Sequence, residues 1–278
     1  MAQNGAMVNG RHSVIGADGA VGPRRGRHAV VVGLLLVVVA LAAGCGTSTP
    51  QAAGHRTSHA ASASAPKVTS STAITQTTGN DSNLIATLPG DEQGYASPGG
   101  AATGVVPGSW QGATSVLPVI AASPGWLEVR LAQRPNGSTA WIRSAGIVLS
   151  ASIYRIVVDL ATMHLALYED GNLVLNAPAG IGTNSTPTPT GNFFVAFLEP
   201  PPSPGYGPFI MVTSAHSNVI ADFENSGDAI IGIHGPLGAD AEIGTTGAQI
   251  SNGCVRLHDS DLAQLEVVPP GSPIQIIS

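Results

Sequence analysis

Tyr154-Arg155-Ile156-Val157-Val158-Asp159-Leu160 alternates in character along its length, and alternation with a period of two marks a strand with one buried face. The pattern repeats outward from it. Met163 to Tyr168 is a second strand, Asp170-Gly171 supplies a turn, and Leu173 to Leu175 opens a third. Asn192 to Leu198, Phe209 to Thr213, Val219 to Ala221 and Ala229 to His234 continue the series, separated by loops such as Pro200-Pro201-Pro202-Ser203-Pro204-Gly205. One short helix is predicted, around Asp261 to Leu265, with Asp259 or Ser260 as its N-cap. Many short strands with few helices give a mainly β fold class, a sandwich or barrel. Upstream, Leu127, Val129 and Leu131 alternate with Glu128 and Arg130, Arg134-Pro135-Asn136-Gly137 has turn chemistry, and Ala140-Trp141-Ile142 resumes an extended run. Fewer than fifty residues of this kind form a second, small β-barrel.

Composition divides the chain and excludes several classes. Of 278 residues only 10% are charged, and Lys67 is the single lysine. A nucleic-acid binder needs a clustered basic footprint, so nucleic acid is not an expected partner. Residues 103–150 carry three arginines and one glutamate, whereas residues 151–278 carry two arginines and twelve acids. That acidic balance suits a substrate or acceptor bearing amines. Two cysteines, Cys45 and Cys254, make neither a disulfide framework nor a four-thiolate metal site.

The first 45 residues read as an export signal. Arg24, Arg25 and Arg27 precede a charge-free run from Ala29 to Gly44, and Cys45 follows directly. Leu41-Ala42-Ala43-Gly44-Cys45 resembles a bacterial lipobox, which implies lipidation of Cys45 and attachment to the outer face of the membrane; signal-peptide cleavage elsewhere and an uncleaved anchor are the alternatives. Residues 46–102, rich in Ser, Thr, Ala and Gly at their start, read as a flexible linker. Ser64-Ala65-Pro66-Lys67 has an S-x-x-K spacing, but Pro66 denies it the helix such a motif needs. The domain boundaries expected are therefore 1–45, 46–102, a β module at 103–150, and a second module at 152–278. The stretch from Leu117 to Ile147 resembles the bacterial SH3-like modules found beside cell-wall enzymes, and a packing role for it is as compatible as wall binding.

The chemistry concentrates in Ile233-His234-Gly235 and, sixteen residues on, Ser251-Asn252-Gly253-Cys254-Val255-Arg256-Leu257. A cysteine becomes a nucleophile when a neighbouring imidazolium or cation stabilises its thiolate. His234 ends an apolar strand, where a side chain reaches a sheet rim, and Gly235 follows it. Gly253 and Cys254 could present N–H groups to a developing oxyanion. Arg256 is placed to hold a carboxylate or to brace the loop. His164, His216 and His258 read as structural or solvent-facing, no zinc motif accompanies them, and Gly180-Ile181-Gly182 lacks the rest of a dinucleotide fingerprint.

The whole string resembles the catalytic domain of the YkuD-type L,D-transpeptidases over residues 152–277. His234, Ser251, Gly253, Cys254 and Arg256 match the family pattern, supported by Thr188-Pro189-Thr190-Gly191 and the closing Pro270-to-Ile277 segment; Asn252 stands where the family usually has histidine. The resemblance implies a YkuD-like catalytic fold, Cys254 as nucleophile, His234 as base, Ser251 as a brace, no metal or organic cofactor, and peptidoglycan stem peptides as donor and acceptor. It implies 3→3 cross-linking with loss of D-alanine. An L,D-carboxypeptidase, a wall-attachment transferase and a non-catalytic wall-binding lipoprotein are the other readings.

Overall fold

The computed structural model describes residues 83–245 and 248–278. The signal, the lipobox with Cys45, and the linker as far as residue 82 lie outside the described residues. The described residues are mainly β, with one short α-helix among them. Its first half contributes β1 (Leu84–Thr87), β2 (Glu92–Tyr95), β3 (Ala102–Val106), β4 (Ser109–Trp110), β5 (Ala113–Thr114), β6 (Val116–Ser123), β7 (Trp126–Arg130), β8 (Thr139–Arg143) and β9 (Val148–Ala151). Its second half contributes β10 (Tyr154–Asp159), β11 (His164–Glu169), β12 (Asn172–Pro178), β13 (Ile181–Gly182), β14 (Gly191–Glu199), β15 (Ile210–His216), β16 (Ile230–His234), β17 (Gln249–Ser251), β18 (Val255–Arg256), α1 (Asp259–Ala263) and β19 (Pro273–Ile277).

Seven strands pair in the order β3-β2-β8-β7-β6-β1-β9, and eight in the order β12-β11-β10-β19-β14-β15-β16-β18. The second sheet is mixed: β10 runs parallel to β19, and β16 parallel to β18. The period-two reading of Tyr154–Leu160 holds, since Ile156 and Val158 are buried on one face. Leu165 and Leu167 of the paired strand join them, with Leu262 and Leu265 packed over the same face. Asp170 (φ 47°) and Gly171 (φ 80°) both adopt positive φ at the β11–β12 connection, the backbone a tight hairpin needs and the reason an Asp-Gly pair sits there.

β15 differs from these alternating strands, because all seven of its residues are buried. Met211 belongs to the core beneath α1, whereas Ile210 and Val212 belong to a second core with Phe194, Ala196 and Ile230. That second core also holds Leu88, Val106, Leu117, Leu127 and Ile142 of the first module. The central strands are therefore covered on both faces, and such strands read as near-continuous apolar runs. The first module packs against the sheet that carries the site and shares its core.

Three expectations are corrected. The stretch to residue 102 is not wholly linker, because β1 and β2 lie within it; Ile85, Ala86 and Leu88 are core residues whose signal is lost in the average composition of the polar segment before them. The first module accordingly begins before residue 103 and uses β1 to bridge β6 and β9. Val219 to Ala221 is loop rather than strand, with Val219 exposed. The helix starts two residues early, at Asp259: His258 is at the N-cap and makes no side-chain cap bond, while Asp259 and Asp261 place negative charge in the first turn.

Candidate active site

The sheet brings the two expected reactive residues to neighbouring positions. β16 and β18 pair in parallel with Ile233 opposite Val255 and His234 opposite Arg256. Continuing that register by one residue sets Cys254 beside Gly232, and the Gly232 N–H points at Cys254 Sγ at 3.4 Å. Side chains two apart on a strand share a face, so His234 stands on the face that Gly232 leaves open for the thiol. Gly232 has no side chain to fill the space. Cys254 is buried, as is His234.

The imidazole is held in one tautomer. His234 Nδ1 lies 2.8 Å from the Gly235 carbonyl oxygen. A carbonyl only accepts, so Nδ1 carries the hydrogen and Nε2 is left as the basic nitrogen. Tyr206 packs on the ring, with centroids 4.8 Å apart and planes at 53°. Its own position is fixed through the backbone, because Gly235 N–H donates to the Tyr206 carbonyl and Leu237 N–H to that of Gly205, each at 2.8 Å. The proline-rich loop thus ends in a 3-10 turn, Pro204–Tyr206, seated over the histidine. Gly235 is required by this close approach: a Cβ there would lie 2.7 Å from Gly207 N and 2.8 Å from the Tyr206 carbonyl carbon.

The turn before Cys254 is braced from two sides. Ser251 Oγ donates to the Cys254 carbonyl at 2.6 Å and accepts the Gly253 N–H at 3.1 Å. Thr188 Oγ1 donates to the Gly253 carbonyl at 2.8 Å while accepting from Gly182 N–H at 2.9 Å. These bonds brace the turn before Cys254, and Ser251 Oγ engages the N–H of Gly253. Glycine is needed at that position for conformation: φ is 118°, and a Cβ would sit 2.8 Å from Ile231 Cδ1. Asn252 is exposed, with Thr186 Oγ1 donating to its Oδ1 at 3.4 Å. Arg256 is buried and donates to the Pro236 carbonyl at 3.3 Å, and its own backbone pairs with Gly180 in both directions at 2.8 Å. These bonds tie Arg256 to the loop after His234 and to the segment at Gly180. A Cβ on Gly180 would strike Ile250.

A cleft leads to the thiol. Cys254 and Asn252 form part of its lining, with Ile220, Phe223, Ala229 and Ile230 on the other side, and none of the residues lining it is charged. Thr188 and the wall at 217–229 are the contributors the motif did not announce. Thr188 was noted only as part of a family pattern, and the wall carries no sequence signature at all.

The other histidines have partners. His216 is buried, contrary to a solvent-facing role, and its Nδ1 lies 2.8 Å from Asp228 Oδ2. His258 Nδ1 lies 2.7 Å from Asp240 Oδ1, and His164 Nδ1 2.8 Å from the Thr162 carbonyl. No group of three metal-ligating side chains occurs among the described residues. Burial opposes ionisation of Asp228, but the Ala229 N–H, the His216 imidazole and the Arg134 guanidinium outweigh it and hold the carboxyl below its ordinary 3.8. A depressed folded value means that the ionised carboxylate stabilises the fold at any pH above 3.8, and that this contribution is lost as pH falls through the folded value. Asp228→Asn is therefore expected to lower stability at neutral pH and to flatten the acid slope, read from unfolding free energies between about pH 2 and pH 6. An unchanged slope in the variant would contradict this.

Known proteins resemble part of this chain. The family model described as the L,D-transpeptidase catalytic domain, YkuD, matches residues 153–276, a span that contains His234, Cys254 and all their braces. Among curated proteins, the chain is 31% identical over 124 residues to the YkuD protein of Bacillus licheniformis and 27% identical over 124 residues to that of Bacillus subtilis. Each alignment covers 44% of this chain, and the chain spans 65% of the length of either relative. Among solved structures, it is similar to an L,D-transpeptidase from Mycobacterium smegmatis (16% identity, TM-score 0.36, covering 55% of this chain and 91% of that one). It is also similar to one from Enterococcus faecium (22% identity, TM-score 0.36, covering 47% and 55%).

Proposed function

We propose that the protein is an L,D-transpeptidase of the bacterial cell wall, with Cys254 as nucleophile and His234 as general base. The observation that carries the reading is the tautomer: with Nδ1 committed to the Gly235 carbonyl, Nε2 is the ring nitrogen that can accept a proton, on the strand whose Gly232 N–H meets Cys254 Sγ. The family match over residues 153–276 supports it.

His234 Nε2 takes the proton of Cys254, and the thiolate attacks the carbonyl that joins the L-centre of a diamino acid to D-alanine in a tetrapeptide stem. The tetrahedral intermediate collapses, His234 returns the proton to the departing amine, D-alanine leaves, and a thioester remains on Cys254. The side-chain amine of a second stem then gives its proton to His234 and attacks the thioester, forming a 3→3 cross-link and releasing the thiol. The uncharged lining of the cleft suits the neutral part of the stem. The acidic character of residues 151–278 suits amine-bearing acceptors. The N-terminal signal and Cys45 support export, with lipid attachment at the outer face of the membrane; a diacylglyceryl mass on the mature N-terminus tests this, and a lipid-free cleaved N-terminus would rule it out.

The test of the nucleophile is acylation. A carbapenem is expected to add its whole mass once to the intact chain, with the adduct mapping to Cys254 after digestion. A native protein that stays unmodified, or is modified elsewhere, would refute the proposal.

A further inference from the structure

The wall of the cleft is not held by the catalytic sheet alone. The 217–229 loop leaves the end of β15 and returns at the start of β16, and both of its ends are grasped by a turn of the first module. Arg134 donates from Nη1 to the Ser217 carbonyl at 2.6 Å, from Nη2 to the Ile220 carbonyl at 2.9 Å, and from Nε to Asp228 Oδ1 at 2.9 Å. Asn136 grips the same place: its Nδ2 donates to the His216 carbonyl at 2.7 Å and to Asn218 Oδ1 at 3.1 Å, and its Oδ1 accepts the His216 N–H at 2.9 Å. Trp110 of β4 packs beside them, its ring 6.1 Å from that of His216 and 6.0 Å from Phe197. The other oxygen of Asp228 meets His216, so one carboxylate ties the outgoing and returning stems together.

We infer that Arg134 and Asn136 are positioning residues for the Cys254 site: the first module clamps the 217–229 loop and thereby sets the shape of the cleft through which substrate reaches the thiol. The Arg134 side chain is 38% exposed, so solvent screens its charge, and its role lies in the geometry of the fork. Only a planar guanidinium directs three donors at two carbonyls and a carboxylate at once; a lysine offers one ammonium on a flexible stem. Between the clamped stems, Ile220 and Phe223 form the uncharged wall. The module previously read as a spacer or a wall-binding element thus completes the active site. This inference rests on the proposed transpeptidase reading for its kinetic consequence, but not for its structural one.

The test uses the full chain and the variants Arg134→Ala, Arg134→Lys and Asn136→Ala. Amide hydrogen exchange in 217–229 is expected to accelerate by about tenfold or more in Arg134→Ala, with β10 and β11 at wild-type rates. KM for a tetrapeptide donor is expected to rise by about fivefold, with a smaller fall in kcat, because binding geometry is lost before the reacting pair is. Arg134→Lys should recover only a minor part of both effects, and Asn136→Ala should reproduce them more weakly. Unchanged exchange in 217–229 would overturn the inference. So would acceleration spread equally over all strands, which marks a merely structural residue, or full recovery by lysine. If the wild-type chain turns over no tetrapeptide, the proposed function fails by itself; the clamp is then read from exchange and from faster alkylation of Cys254 by iodoacetamide in Arg134→Ala, and equal alkylation rates would overturn it.

Discussion

Cys254→Ala is expected to abolish acyl transfer entirely. Covalent catalysis has no fallback once its nucleophile is gone: the remaining site can bind a stem but cannot form the thioester, and water has no activated place from which to attack. The rate should therefore fall by about 10⁴-fold or more, to the level of the assay blank, while binding of the stem persists. The same substitution should not unfold the protein. Cys254 is a small buried residue in the core shared with the first module, and alanine keeps most of its volume, so the thermal midpoint should move little. A variant that loses activity while keeping its midpoint separates the chemical role of the thiol from a packing role. One that retains activity would refute the nucleophile.

His234→Gln is expected to have the second largest effect. Glutamine keeps an amide near the Gly235 carbonyl that now holds Nδ1, but it supplies no base for the thiol proton or for the acceptor amine. Removing a positioned general base costs about 10²–10⁴-fold in rate. The loss should appear in both half-reactions, seen as slow acylation and as slow resolution of any thioester formed. Equal rates for variant and wild type across the pH range would show that Nε2 is not the base. A loss confined to thermal stability would show instead that the ring serves only as packing for Tyr206.

Much of the fold was legible in the sequence because several of its strands bury residues at alternate positions. Ile156 and Val158 in Tyr154–Asp159, and Leu127 and Val129 in Trp126–Arg130, are buried at alternate positions, and Asp-Gly and Pro-Asn-Gly mark nearby turns. The His234 and Cys254 segments were legible because their glycines and their spacing are local features. What lay hidden is non-local. β15 is buried on both faces, so its sequence has no period to betray that a second module covers it. β1 carries only Leu84, Ile85 and Ala86 as a signal, and it becomes a strand by pairing with β6 and β9 far along the chain. Sequence cannot reveal that the Ser251 hydroxyl accepts the N–H of Gly253, two residues later. Arg134 looked like a turn residue for the same reason, since its partners at Ser217, Ile220 and Asp228 lie more than eighty residues away.

The most direct test of the central claim is product analysis. The full chain is incubated with purified disaccharide-tetrapeptide, with Cys254→Ala as control, and the products are resolved by mass spectrometry. The proposed mechanism predicts a cross-linked dimer that has lost one D-alanine, formed by the wild-type chain and absent with the variant. Tripeptide as the sole product would place water at the acceptor site and contradict the transpeptidase assignment. No turnover, together with a Cys254 that resists carbapenem, would contradict acyl transfer altogether and leave the chain as a binding module.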